Sequence, residues 1–155
     1  MNIKIQPSLA LPKTVTNEYK GKNIALYAFY IIIAITMGRS LIHMLAPDGG
    51  AQSIATIPLD NYSGAAKATV IYMFATWGLS QLIMGVFYLI AAVRYKSLIP
   101  LMYIFIAFEY LMRMVIGHMK PITLVGMAPG AVANIPFFVI AVIMFFLSVM
   151  PSKKG

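Results

Sequence analysis

Seven side chains that can bind charge or form hydrogen bonds lie inside otherwise apolar stretches of the chain, where polar groups are costly. They are Arg39, His43, Trp77, Gln81, Glu109, Arg113 and Asn134. The two guanidinium groups suit carboxylate or phosphate, and the amides of Gln81 and Asn134 both donate and accept hydrogen bonds. The set predicts a binding site for an anionic or lipid-like ligand, with no residue assigned to catalysis or to a metal.

The charges within this set do not balance. Glu109 and Arg113 are four residues apart with the acid first, which is the favourable order for an ion pair along a helix. Arg39 then leaves one positive charge, and a buried charge without a partner is expensive. We expect it to be neutralised by Asp48 or Asp60, water, a lipid phosphate or an anionic ligand. In the alternative interpretation the polar contacts only hold helices together, and Arg39 extends toward lipid headgroups.

The two histidines, His43 and His118, both fall near the outer surface on the first and third spans, as two axial ligands of a haem b would. A haem usually takes its ligands from within helices, whereas His118 stands at or beyond the end of its apolar stretch. We therefore expect no haem and no other cofactor. The chain has no cysteine, which excludes zinc and iron–sulfur sites that depend on thiolates.

The composition of the chain predicts the helices that position these residues. Of 155 residues, 61% are hydrophobic and 10% are charged, whereas a soluble domain carries about a quarter charged residues. The sequence therefore predicts an all-α integral membrane protein, a four-helix transmembrane bundle. Each span needs about 20 apolar residues, and the predicted spans are 24–46, 70–93, 98–117 and 128–150. They form one domain, 24–150, with an outer loop at 47–69 and tails at 1–23 and 151–155.

The basic residues predict the orientation of the bundle. The net charge is +8, and eight cations fall on one side of a four-span chain: Lys4, Lys13, Lys20, Lys22, Arg94, Lys96, Lys153 and Lys154. The other side has Lys67 and Lys120 alone. Because basic residues collect in cytoplasmic loops, both tails are predicted to be cytoplasmic. The expected location is the inner (cytoplasmic) membrane of a bacterium.

Small residues predict where helices approach closely. Gly78, Gln81 and Gly85 share one face of the second span, which indicates a tight seam with Gln81 pointing inward. Ala34 and Gly38, a turn apart in the first span, predict a second close approach. The apolar middle of the outer loop, residues 54–59, is suited either to lie on the bilayer or to fold back as a lid.

The polar residues of all spans fall in the outer half, which predicts a net-basic pocket open to the outside with Gln81 and Glu109 as its floor. The function favoured by this pattern is a non-enzymatic binding or accessory subunit. Its expected partners are the lipid bilayer, an anionic or lipid-like small molecule, and a homo-oligomer or larger membrane complex, but no nucleic acid.

Two other functions remain open. An oligomeric small transporter or channel requires polarity to continue to the cytoplasmic side, and the inner halves of the spans are apolar. A membrane enzyme acting on a lipid or quinone would use Glu109 or His43 as its base. A carboxylate paired with an arginine, as Glu109 is expected to be, is a poor base.

Overall fold

The computed structural model describes residues 6–152, and these residues form helices and connecting segments with no strand among them. Four helices are long and apolar enough to cross a membrane: α1 (Asn23–Leu45), α2 (Gly64–Arg94), α3 (Ile99–Met119) and α4 (Pro129–Ser148). The predicted all-α architecture is confirmed. One boundary differs, because α2 begins at Gly64 rather than at residue 70. Ser63 caps this helix by accepting a hydrogen bond from the Ala66 amide. A prediction based on hydropathy does not detect such a cap.

The helices pack as two antiparallel hairpins, α1 with α2 and α3 with α4, and α1 also contacts α4. The main apolar core lies in the half of the molecule nearer the termini. There the Phe29 ring packs against Tyr88 and Tyr103, with centroids 5.8 and 5.5 Å apart. The Tyr103 hydroxyl donates a 2.6 Å hydrogen bond to the Ala25 carbonyl, which joins α3 to α1.

Removing this hydroxyl should cost measurable stability. We expect Tyr103→Phe to lower the free energy of unfolding by about 1 kcal/mol, because it removes one neutral hydrogen bond and keeps the ring. SDS titration of the protein in mixed micelles, followed by circular dichroism, measures this. Tyr27→Phe is the matched control, since Tyr27 is 63% exposed. Equal stability of the two variants would show that the Tyr103–Ala25 hydrogen bond contributes nothing.

The predicted tight seam on α2 is confirmed. A Cβ atom added at Gly78 would lie 2.7 Å from the His43 Cβ, and one at Gly85 would lie 2.9 Å from the Met37 Cγ. The second close approach is wrong, because a Cβ at Gly38 would meet nothing within 4 Å. The side of α1 that carries His43 faces α2, so Gly38 is turned away from its neighbours.

The segment 6–22, predicted as a plain tail, is bound to the end of the bundle, and we call it the strap. The Gln6 amide donates to the Val149 carbonyl at 3.1 Å. The Thr16 amide donates to the Ser97 hydroxyl at 2.9 Å, and the Ser97 amide donates back to the Thr16 carbonyl at 3.2 Å. The strap therefore joins the end of α4 to the connection between α2 and α3.

Candidate functional site

A cavity of about 550 Å³ lies at the end of the bundle opposite to the termini. Each helix contributes a polar or aromatic side chain to its lining: Arg39 and His43 from α1, Trp77 from α2, Arg113 from α3 and Asn134 from α4. The rest of the wall is largely apolar and includes Ile35, Phe74, Ile122, Leu124 and Phe137. The volume is within the range of about 300–1,000 Å³ that is typical of small-molecule sites. The cavity thus combines cationic groups with hydrocarbon walls.

The loop between α1 and α2 folds back over this end of the bundle instead of extending away from it. Ala51, Ile57 and Leu59 are buried, and they pack with Phe74 and Leu124 in a second apolar cluster. Of the two predicted behaviours, the loop therefore shows the second, folding back on the bundle, and we call it the lid. The apolar middle of the loop owes its composition to this burial.

Thr56 fastens the lid to the loop between α3 and α4. Its carbonyl accepts a hydrogen bond from the Val125 amide, and its hydroxyl donates to the Gly126 carbonyl, each at 3.0 Å. Thr56 has a φ of 58°, in the left-handed region, which is uncommon for a β-branched residue. Such a backbone conformation costs about 1–3 kcal/mol, and the two hydrogen bonds offset it. The neighbouring residues Ile54 and Ala55 line the cavity.

A chain of polar contacts runs beside the cavity from α1 to α3. The Arg39 guanidinium donates to Gln81 Oε1 at 3.2 Å, and Gln81 Nε2 is 3.5 Å from Glu109 Oε1. Glu109 Oε1 also accepts from Arg113 through Nε, at 3.1 Å, and through Nη2. The predicted ion pair therefore forms. Gln81 is buried and connects this pair to the second arginine.

The Trp77 ring lies among the cationic side chains. The guanidinium carbon of Arg113 is 4.8 Å from its centroid, and that of Arg39 is 5.9 Å away. Both distances are within the range of cation–π attraction. The His43 ring centroid is also 4.8 Å from the Trp77 centroid. Trp77 therefore holds the polar side chains of α1 and α3 around one aromatic surface.

The His43 ring is oriented by the loop that follows α1. Its Nδ1 atom is 2.8 Å from the Gly49 carbonyl oxygen, and since a carbonyl can only accept, Nδ1 carries a proton. Gly49 and Gly50 have positive φ values of 61° and 73°, a conformation that glycine adopts readily. In the neutral imidazole the lone pair is then on Nε2, to which no group of residues 6–152 donates a hydrogen bond.

Arg39 has no carboxylate partner. The chain has four carboxylates, and all four are engaged elsewhere. Glu109 pairs with Arg113, and Glu18 lies 3.9 Å from Lys20 at the other end of the bundle. The remaining two are Asp48 and Asp60, the two loop carboxylates that the sequence suggested as counterions of Arg39. In the part of the chain that the structure describes, no ion pair includes Arg39, and its buried Nε has no hydrogen-bond partner.

The loop itself satisfies Asp48. Burial raises the pKa of Asp48, but hydrogen bonds from the Ser53 and Gly50 amides outweigh it and hold the pKa below the usual value. Asp48 is therefore an ionised carboxylate whose lone pairs are taken up within its own loop.

Asp60 is satisfied in the same way by its neighbours. The side chains of Gln52 and Lys67 hydrogen-bond to it and lower its pKa. The Lys67 ammonium lies 3.1 Å from its carboxylate. The expectation that Asp48 or Asp60 neutralises Arg39 is therefore wrong.

No family model, curated protein or solved structure matches this chain.

The structure brings all seven predicted site residues into one connected group. Five of them line the cavity, while Gln81 and Glu109 lie behind Arg39 and Arg113 in the polar chain. His118 is exposed at the end of α3 and does not line the cavity with His43. Within residues 6–152 no group of three or more histidine, cysteine or acidic side chains could hold a metal ion.

Two residues that shape the site were not identified from sequence. Gly49 orients His43 through its carbonyl, and Thr56 fastens the lid. The Gly-Gly pair at 49–50 is a sequence signal for a turn, but its contact with His43 is not. Thr56 has no sequence signal, because its backbone conformation is imposed by the burial of the loop on both sides.

Proposed function

We propose that the chain is a multi-pass membrane protein that binds an anionic amphiphile in the cavity, acting as a non-enzymatic binding or accessory subunit. In this proposal all four helices cross the cytoplasmic membrane of a bacterium. Both termini are cytoplasmic, and the cavity opens toward the outer side.

The outward faces of the helices support a membrane location. Each helix exposes large apolar side chains, among them Ile31, Phe87, Phe108 and Ile135. Such continuous apolar surfaces are unfavourable in water and suit lipid. The orientation is supported by the basic residues of the strap and of the α2–α3 connection, which lie at the end opposite to the cavity. Basic residues favour the cytoplasmic side.

The observation that carries the proposed ligand is the unmatched charge of Arg39. A cation in a low-dielectric site without a counterion is costly, and ionisable residues within a membrane protein usually serve a function. An anion bound in the cavity would neutralise Arg39, and the apolar walls would bury the hydrocarbon part of the same molecule. A single amphiphile meets both requirements.

The apolar core favours a binding site over a transport path. Beyond the polar chain, toward the termini, Phe29, Tyr88 and Ile106 are almost fully buried and packed together. A path through the bundle would have to cross this packed region. The cavity is therefore proposed as a site with access from one side.

Arg39→Gln tests the proposal directly. The variant keeps a hydrogen-bonding side chain and loses the charge, so we expect it to bind a monoanionic lipid about 10- to 100-fold more weakly, the equivalent of one charge-assisted hydrogen bond. Trp77, the single tryptophan of the chain, contacts the cavity, so its fluorescence can report titration with dioleoyl phosphatidylmethanol in detergent.

Arg94→Gln is the matched control, since Arg94 is exposed at the other end of the bundle, and its affinity should equal that of the wild type. Dioleoyl phosphatidylcholine, which has no net charge, should bind wild type and Arg39→Gln alike. A folded Arg39→Gln protein that binds the anionic lipid as tightly as the wild type would contradict the proposal.

A further inference from the structure

Building on the anionic ligand proposed above, we infer that its head group carries one negative charge and at least one hydroxyl group that donates hydrogen bonds. A phosphodiester bearing a hydroxylated substituent has this chemistry, either as the head of a lipid or as a soluble phosphodiester. The inference rests on the proposed function, and it adds the number of charges and the hydrogen-bonding groups of the ligand.

The balance of charge specifies a monoanion. Glu109 neutralises Arg113, which leaves Arg39 as the one unmatched cation in the lining formed by the described residues. A monoanion brings the cavity to neutrality. A dianion would introduce an unpaired negative charge between apolar walls, which is as costly as the positive charge that it replaces.

His43 supplies an acceptor that an anion cannot satisfy. Its Nδ1 proton is directed at the Gly49 carbonyl. The guanidinium groups of Arg39 and Arg113, which share the Trp77 ring with His43, disfavour a second proton on the imidazole, so Nε2 presents a lone pair. A head group that offers a hydrogen can bind this atom, and a hydroxyl or an N–H group can do so. An ammonium group is disfavoured, because Arg39 and Arg113 line the same cavity and would repel it. A hydroxyl group is favoured over a neutral N–H group, because its oxygen can also accept a hydrogen bond from a guanidinium group.

Asn134 supplies a second acceptor. Its Oδ1 is buried and has no partner among residues 6–152, and a buried acceptor without a partner costs about as much as a lost hydrogen bond. A half-turn of the amide would place Nδ2 in the same position, again unpartnered, so one amide atom lacks a partner in either orientation. Asn134 lines the cavity, so a rotation of its side chain would bring the unpartnered atom to a bound hydroxyl group, which both donates and accepts.

Three lipids with identical dioleoyl chains separate charge from hydroxyl recognition. Phosphatidylglycerol is a monoanion with two hydroxyl groups, phosphatidylmethanol is a monoanion with none, and phosphatidylcholine has no net charge. We expect Trp77 fluorescence to show phosphatidylglycerol binding about 5- to 30-fold more tightly than phosphatidylmethanol, the equivalent of one to two neutral hydrogen bonds. Phosphatidylcholine should bind most weakly.

Asn134→Leu removes one acceptor at nearly constant side-chain size. We expect it to reduce the preference for phosphatidylglycerol over phosphatidylmethanol by about 3- to 10-fold, while the preference for phosphatidylmethanol over phosphatidylcholine is retained. Arg39→Gln should have the complementary effect, weakening both anionic lipids and leaving their ratio close to that of the wild type. A merely structural role for Asn134 would change all three affinities together.

The outcomes distinguish the two proposals. Equal affinity of the wild type for phosphatidylglycerol and phosphatidylmethanol, both above phosphatidylcholine, would overturn the hydroxyl inference and leave the anionic ligand intact. Equal affinity for all three lipids would contradict the proposed function itself. Glycerophosphoglycerol, the head group without acyl chains, separates the sources. If it binds as tightly as the whole lipid, the hydroxyl inference stands, but the acyl chains contribute nothing, which would contradict the amphiphile of the proposed function and indicate a soluble phosphodiester.

Discussion

Replacing Glu109 by glutamine should lower the free energy of unfolding by about 2–3 kcal/mol. The substitution leaves the Arg113 guanidinium without its carboxylate, and breaking a buried ion pair from one side costs about 3–5 kcal/mol. The Glu109 side chain is 36% exposed, so the pair is only partly buried and the expected cost lies below this range. SDS titration in mixed micelles, followed by circular dichroism, measures the loss.

The same variant should bind anionic lipid more tightly. With Glu109 neutral, Arg113 joins Arg39 as a second unmatched cation, and we expect an affinity for phosphatidylmethanol about tenfold higher than that of the wild type, equivalent to about 1.4 kcal/mol. Lower stability combined with tighter binding is a result that general misfolding cannot produce.

The control for Glu109→Gln is Glu18→Gln. Glu18 lies 3.9 Å from Lys20, and both side chains are mostly exposed, so its removal should change stability by less than about 1 kcal/mol and leave lipid affinity unchanged. If Glu109→Gln is as stable as Glu18→Gln, the Glu109–Arg113 pair does not stabilise the bundle. Weaker anion binding by Glu109→Gln would contradict the assignment of the cavity charge.

Alanine should affect stability differently at two glycines of the bundle. Gly78→Ala places a Cβ 2.7 Å from the His43 Cβ and 3.0 Å from the Ser40 carbonyl oxygen, so α1 and α2 must separate. Overpacking of this kind costs about 1–3 kcal/mol. Gly38→Ala is the matched control: its Cβ meets nothing within 4 Å, and alanine in a helix is favoured over glycine by about 1 kcal/mol.

The measurement is the difference in unfolding free energy between these two variants. We expect it to reach about 1–3 kcal/mol, the cost of overpacking, because the helix-propensity gain of alanine is common to both positions and cancels. Gly78→Ala should also weaken lipid binding, because the atom that must move belongs to His43. Equal stability of Gly78→Ala and Gly38→Ala would show that the α1–α2 seam tolerates an added methyl group.

The parts of the fold that could be predicted from sequence are those governed by local patterns. Runs of apolar residues indicate four helices, and the spacing of Glu109 and Arg113 indicates their ion pair because both lie on one helix. The Gly78–Gly85 seam is predictable for the same reason, because both glycines lie on one face of α2. Each of these depends on residues within a few turns of one another.

The remaining features depend on how the helices are rotated about their axes, and no local pattern encodes this. Gly38 and Gly78 look alike in sequence, yet one faces outward and the other contacts His43. Arg39 is bonded to Gln81 on another helix rather than to an acid. The strap is polar and without periodicity, and its order comes from hydrogen bonds to residues as distant in sequence as Val149.

The strap also has a consequence for the order of events during synthesis. The Gln6 amide bonds to the Val149 carbonyl, and the Ser152 amide bonds to the Lys20 carbonyl. At a ribosomal rate of about 5–20 residues per second, roughly 7 to 30 seconds separate the emergence of Gln6 from that of Val149. The hydrogen bonds of the strap to the α2–α3 connection can form earlier, but those to Val149 and Ser152 have to await the synthesis of α4. The strap is therefore completed only when the whole bundle is present.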